Sequence, residues 1–204
     1  MKLAIFGGSF NPIHIGHLFL AEEVRLRFGY HKILFVPVNI PPHKTLAGGA
    51  TDIDRLEMLN LSIKDNPNFQ VDSLEIQRGG ISYTYDTVEE LEKKYSSVLE
   101  GKIGLIMGDD LVEGFSTWKN ADILSEKTDL ILARRMICSE NNTVEFQYPH
   151  LDLGNGVLPI SSSDIRTRII STENEFASKA WRYLVSEPVY EYIVQRRLYG
   201  FTNS

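Results

Sequence analysis

The chain has 204 residues, 43% hydrophobic and 24% charged, enough for one domain with a full core. A net charge of −6 excludes broad electrostatic binding to nucleic acid, but not nucleotide substrates, because a local field can differ in sign from the whole. The single cysteine, Cys138, excludes an intramolecular disulfide and a cysteine-rich zinc site. No apolar run approaches membrane-spanning length and no signal-peptide pattern precedes the first strand, so a cytoplasmic location is the simplest expectation.

The first predicted strand, Leu3–Phe6, runs into Gly7-Gly8-Ser9-Phe10-Asn11-Pro12-Ile13-His14-Ile15-Gly16-His17 and a helix over 16–28 closed by Gly29. Such a strand-to-helix turn gathers free backbone N–H groups and the positive helix end at one spot, which suits a phosphate. Gly7 and Gly8 let the backbone approach a ligand with no Cβ between them. His14 and His17 share a face if the helix has begun by His14, and imidazole donors there would stabilise charge on a phosphorus under attack. A bare Gly-Gly-Ser turn with two solvated histidines is the plainer alternative; the directly attached His-x-Gly-His favours the functional reading.

A second strand, Ile33–Pro37, leads to Pro41-Pro42-His43-Lys44, where the double proline forces an extended course. Residues 45–51 read as a mobile loop, so Lys44 is either a solvated cation or a phosphate contact on a segment able to close during turnover. His43 divides evenly between the two readings. The helix over 52–64 has early acids suited to its positive end and an apolar side at Leu56, Leu59, Leu61 and Ile63. After strand Phe69–Asp72, a Gly-Gly turn leads to Ser82, Thr84 and Asp86 ahead of a helix over 85–95. These are N-cap residues, and the same geometry would receive a substrate carboxylate.

Strand Ile103–Met107 ends in Gly108-Asp109-Asp110. One acid caps the helix that follows, or accepts from a ribose hydroxyl, or holds Mg²⁺ through water. Trp118 follows in a loop-like segment, as a core plug or as a flat platform for an electron-poor ring. Strand Leu130–Ala133 ends in Arg134-Arg135, and residues 139–156 read as polar and irregular. Ser161, Ser162 and Ser163 precede a helix over Asp164–Ile170 with Arg166 in its first turn, a second anion site or simple serine capping. Trp181 reads as core. The C-terminal part is helical, with Pro188 at its first position, an apolar side at Val189, Tyr192, Ile193 and Leu198, and Gly200 at its end. It is a packing element that could also serve a homo-oligomer contact.

The alternation predicts an α/β fold: a Rossmann-like, doubly wound, mostly parallel sheet with helices on both faces, in a single domain over 1–204 whose helical C-terminal part begins near 164. In such sheets ligands bind outside the carboxyl ends of the strands, where nearly all these residues fall.

Gly-Gly-Ser-Phe-x-Pro-x-His-x-Gly-His resembles the first motif of the nucleotidylyltransferase superfamily. Pro-Pro-His resembles the second motif of the bacterial nicotinate-nucleotide adenylyltransferases, and Arg78-x-Gly-x-Ser-Tyr-Thr-x-Asp-Thr their pyridine-nucleotide motif. Ile-Ser-Ser-Ser-x-Ile-Arg, ending at Arg166, resembles their last motif, with Ser163 in place of Thr. The resemblance runs from residue 7 to residue 166. It departs at Asn11, where the family often has Asp; this removes a carboxylate near the phosphates, although Asn also suits a turn before Pro12.

The resemblance implies that ATP and nicotinate mononucleotide give deamido-NAD and pyrophosphate, without a covalent enzyme intermediate. It implies charge stabilisation by His14, His17, Lys44 and Arg166. It implies ATP contacts at Gly7, Gly8, Ser9, Phe10, Gly108, Asp110, Arg134, Ser161, Ser162, Ser163 and Ile165. Nicotinate mononucleotide would meet Ser9, Tyr83, Thr84 and Trp118, with Asp86 shaping the pocket. Arg55 would brace the loop by an ion pair, and Asp109 would cap or pack. Mg²⁺ would arrive on substrate phosphates rather than in a protein-held site. The rivals are an enzyme preferring nicotinamide mononucleotide, a pantetheine-phosphate adenylyltransferase, and a non-catalytic nucleotide sensor on the same fold. His-Ile-Gly-His also resembles a class I aminoacyl-tRNA synthetase signature, but the chain is too short and acidic and lacks their Lys-rich second signature.

Overall fold

The computed structural model describes residues 1–43, 45–135, 146–170 and 180–202. The strands are β1 (Leu3–Gly8), β2 (Lys32–Pro37), β3 (Phe69–Val71), β4 (Ile103–Gly108), β5 (Thr128–Ala133) and β6 (His150–Asp152). They form one sheet in the order β3-β2-β1-β4-β5-β6, and every pairing is parallel. The helices are α1 (Ile15–Phe28), α2 (Asp52–Ile63), α3 (Leu74–Arg78), α4 (Thr84–Tyr95), α5 (Ala121–Lys127), α6 (Ser162–Ile170) and α7 (Glu187–Arg196). This is the expected Rossmann-like doubly wound fold.

The four central strands, β2, β1, β4 and β5, read as largely continuous apolar runs because both sheet faces are covered there. Ala4, Phe6, Ile33 and Phe35 point to one face, where they meet Leu20 and Val24 of α1, Met58 of α2, Ile165 of α6 and Ile193 of α7. Leu3, Ile5, Leu34 and Val36 point to the other, against Leu74 of α3, Val88 and Leu91 of α4 and Leu124 of α5. The alternation follows from the period of two along a strand. β1 sits between β2 and β4, so the strand order reverses there and opens a crevice beyond its carboxyl end. The glycine motif leaves the sheet at that point.

The helix ends follow local chemistry. Gly29 takes φ 68°, the left-handed region that glycine enters without a Cβ penalty, and its N–H reaches the Arg25 carbonyl. Thr51 caps α2 by accepting from the Asp54 N–H, while the Asp54 carboxylate accepts from the Thr51 N–H. Pro188 lies in the first turn of α7, but α7 stops at Arg196 rather than at Gly200. Arg197 takes a left-handed backbone there, and a short 3₁₀ turn, Leu198–Gly200, follows.

Three elements were not expected. α3 has five residues and α5 seven, too short to display helical periodicity. β6 falls in the stretch read as irregular; its three residues are exposed, so no hydrophobic pattern marks them. Cys138 and Lys44 lie outside the described residues. Among the described residues no helix is long and apolar enough to cross a membrane.

Candidate active site

A cleft of about 460 Å³ opens beyond the carboxyl ends of β1, β2 and β4, within the usual range for small-molecule sites. One end is made by the β1 turn. Gly7 and Gly8 still pair with β2, so the turn proper starts at Ser9. Phe10 holds a left-handed φ of 44° and is buried. Its ring packs against Phe6, Phe35 and His17 at 5.8, 5.7 and 5.0 Å between centroids, which fixes the turn despite the unfavourable backbone. A Cβ on Gly8 would stand 3.0 Å from the Phe10 ring, so glycine there makes room for it.

Distant elements tie this turn down. The fully buried Arg55 guanidinium donates to the carbonyls of Ser9 (2.8 Å) and Val38 (2.6 Å) and pairs with Asp52 at 2.7 Å. It braces the loop through an ion pair and two backbone carbonyls, as expected. Ser161 accepts from the Asp164 N–H and so caps α6, while the Ser162 hydroxyl donates to the Pro12 carbonyl at 2.8 Å. Arg166 donates to the Asn11 carbonyl at 2.7 Å and to Ser163 Oγ at 3.1 Å. All three serines and Arg166 line the cleft. The two stretches read from the sequence as anion sites therefore lie together: the first turn of α6 is bonded to the glycine turn that follows β1.

The histidines differ from each other. His14 is the N-cap of α1 with an extended backbone, yet its ring stacks on His17 at 3.7 Å. The His14 N–H donates to His17 Nδ1 at 3.2 Å. For Nδ1 to accept, the His17 proton must sit on Nε2, which makes Nε2 the donor. His17 lines the cleft; His14 lies behind it, buried, facing a small crevice with Arg134, Leu158 and Ile160. Burial, helped by the nearby Arg135 charge, lowers the His14 pKa to about 3. The neutral imidazole is thus favoured, so of the two forms expected for His14 the uncharged N–H donor is the better supported.

The other end of the cleft is the start of α4. Tyr83 is its N-cap, but no Tyr83 side-chain bond closes the first turn. The Thr84 and Tyr85 side chains line the cleft beside that turn. Trp118 forms a half-buried wall, its ring 5.2 Å from Phe115. Lys119 pairs with Asp86 at 2.7 Å and lies 5.1 Å over the Tyr83 ring, so Asp86 shapes this end through a cation. Arg78 binds Glu90 and Thr87 at the back, where Thr87 also donates to the buried Glu75 at 2.5 Å. The segment before the loop joins the same end: Asn39 N–H donates to Ser82 Oγ and the Ser82 N–H to the Ile40 carbonyl.

The cleft thus gathers Gly7, Gly8, Ser9, Phe10, His17, Asp110 and the three serines with Arg166, and Tyr83, Thr84 and Trp118 opposite. His43 lines it too. Gly108 does not reach it; a Cβ there would fall 2.1 Å from the Asp110 carboxylate, so its glycine makes space for that side chain. Ile165 is fully buried in the core, and its N–H is spent on the Ser161 carbonyl, so neither group faces a ligand. Arg134 is 59% exposed, lies 3.7 Å from Asp152, and is outside the cleft.

Its neighbour Arg135, passed over in the sequence, lines the cleft and pairs with Asp110 at 3.3 Å. Asp109 accepts from the Arg135 N–H and packs, as expected. Lys119 and Glu75 also went unread, although Lys119 adjoins Trp118 and Glu75 stands one turn before Arg78. Among the described residues, Lys119, Arg135 and Arg166 line the cleft; Lys119 is paired with Asp86 and Arg135 with Asp110, whereas Arg166 meets a carbonyl and a hydroxyl there and is open to an anion.

A cytidylyltransferase-like family model matches residues 5–168. A probable nicotinate-nucleotide adenylyltransferase of Treponema pallidum is 42% identical over 208 residues, covering 98% of this chain and 99% of that protein. One from Listeria innocua is 34% identical, covering 93% and 97%. The fold is similar to that of Plasmodium falciparum nicotinic acid mononucleotide adenylyltransferase, solved in complex with NaAD, with a TM-score of 0.75 at 20% identity over 98% of both chains.

Proposed function

From a chain that belongs to the cytidylyltransferase-like family and, within it, to the nicotinate-nucleotide adenylyltransferases, we propose transfer of the adenylyl group of ATP to nicotinate mononucleotide, giving deamido-NAD and pyrophosphate in NAD biosynthesis. The observation that carries this reading is a single cleft with an anion site at one end and a helix start facing an aromatic wall at the other.

A phosphate oxygen of the mononucleotide attacks the ATP α-phosphorus. The new P–O bond forms as the bond to the bridging oxygen breaks, and that electron pair leaves with pyrophosphate. The nucleophile is already an anion, so no base is required, and a neutral His14 fits a reaction that moves no proton. The chain contributes position and charge. His17 Nε2 donates to the phosphate oxygens. Ser161, Ser163 and Arg166 hold the departing β- and γ-phosphates. The nicotinate carboxylate lies at the first turn of α4 with its ring against Trp118. A Mg²⁺ ion would arrive on the triphosphate oxygens. Asp110 is the carboxylate placed to approach it. When bound, the ion would neutralise phosphate charge.

The test is pyrophosphate release with Mg-ATP and either nicotinate or nicotinamide mononucleotide at matched concentrations. Higher kcat/KM with the acid is expected. Equal use or amide preference would keep the chemistry and overturn the pyridine pocket; ATP binding without release would point to a sensor.

A further inference from the structure

Asn11 departs from the aspartate that its family often carries, and both polar atoms of its side chain are bonded within the chain. It is buried, and its Nδ2 donates to the Ala47 carbonyl at 2.7 Å. That carbonyl only accepts, so the amide orientation is fixed and Oδ1 faces the other way, where it accepts from the Tyr199 hydroxyl at 2.7 Å. The Tyr199 N–H in turn donates to the Gly49 carbonyl at 3.1 Å. Tyr199 is buried with a left-handed φ of 57°, a conformation that a tyrosine keeps only when its surroundings impose it. The far end of the same loop is fastened by the same part of the chain: Tyr192 donates to Asp54, the partner of Thr51, at 2.9 Å. Thr45, Leu46 and Ala47 line the cleft beside Asn11 and Arg166.

We propose that Asn11 and Tyr199 are a positioning pair that holds residues 45–50 over the phosphate end of the cleft, and that it works because position 11 carries an amide. A carboxylate has no proton to give the Ala47 carbonyl and would set two oxygens against each other. The C-terminal segment, read from the sequence as a packing element that could also serve an oligomer contact, thereby reaches the site. The kinetic part of this inference rests on the adenylyl-transfer reading; the structural part does not.

The experiment compares Asn11→Asp, Tyr199→Phe, their double variant and Gly49→Ala with the unmodified chain by amide hydrogen exchange and by pyrophosphate release. Gly49 is exposed at φ 101°, and a Cβ there would lie 2.8 Å from the Tyr199 ring and 3.1 Å from its Cα, so this variant parts loop from tyrosine while leaving both hydrogen-bonding side chains in place. Exchange at 45–50 is expected to quicken about tenfold in every variant, while that of α4 stays unchanged. KM for ATP is expected to rise about tenfold in each single variant, with KM for the pyridine nucleotide unchanged, and to rise no further in the double, as for two members of one contact. Faster exchange throughout the chain, or losses that multiply in the double, would make the pair a general stability element and overturn the proposal. Unchanged exchange at 45–50 would overturn it as well. An unmodified chain that releases no pyrophosphate would defeat the reaction while the exchange comparison still decides the pair.

Discussion

The two ends of the cleft are built from different materials. The phosphate end is held by partly buried hydrogen bonds from distant parts of the chain: Arg55 on Ser9, Ser162 on Pro12, Arg166 on Asn11. The pyridine end rests on ion pairs open to solvent, Lys119 with Asp86 and Arg78 with Glu90. Hydrogen bonds shielded from solvent hold a geometry more strictly, above all where a guanidinium donates, whereas exposed pairs contribute at most about 1 kcal/mol and are screened by salt. The end assigned to the transferring phosphorus is thus preorganised. The end proposed to recognise the ring tolerates adjustment. A rate should therefore depend on the first end and an affinity on the second.

The sharpest way to break that contrast is His17→Ala. Removing one preorganised donor of this kind costs on the order of 10²–10³ in kcat, and KM for either substrate should change little. Steady-state kinetics of pyrophosphate release measures both; a near-normal kcat would take His17 out of the mechanism. Trp118→Ala should do the reverse. Loss of an aromatic partner is worth about 0.5–1.5 kcal/mol, so KM for the mononucleotide should rise up to about tenfold while kcat and KM for ATP hold. A fall in kcat with unchanged KM would erase the division between the ends.

The end proposed for the phosphates was legible because its signal is contiguous: glycines, serine and both histidines lie within residues 7–17, on one strand-to-helix turn. The sheet was legible for the same reason, since each buried strand is an unbroken apolar run. What stayed hidden depends on pairs far apart in sequence. Arg55 sits on an amphipathic helix, where an arginine reads as exposed; its complete burial needs carbonyls from Ser9 and Val38. Tyr199 meets Asn11 across 188 positions, which no local pattern announces. The choice between Arg134 and Arg135 turns on which side of β5's end each leaves, and adjacent residues point to opposite faces of a strand. The same one-residue phase decides that Ile165 enters the core while Arg166 faces the cleft.

The smallest effect sharpens the comparison through pH. Glu75 lies behind the pyridine end, 4% exposed, and burial raises its pKa above the ordinary 4.5 despite the Thr87 hydrogen bond. Below pH 4.5 the carboxyl is protonated folded and unfolded alike, so it costs nothing. As pH rises through the folded value, the unfolded chain ionises more readily and stability is lost. Glu75→Gln keeps an oxygen for Thr87 and removes the titration. Its Tm should match the unmodified chain near pH 4 and exceed it by a few degrees near pH 7, since ~1 kcal/mol moves a chain of this size about 2–4 °C. The lowered pKa of His14 has the opposite sign: stability is lost as pH falls below 6.5 towards about 3, and Glu75→Gln leaves that loss in place. Thermal denaturation across pH 4–8 separates the two groups. A Glu75→Gln difference that does not change with pH would mean that the carboxylate is already compensated in the fold, and that the pyridine end is as strictly satisfied as the phosphate end.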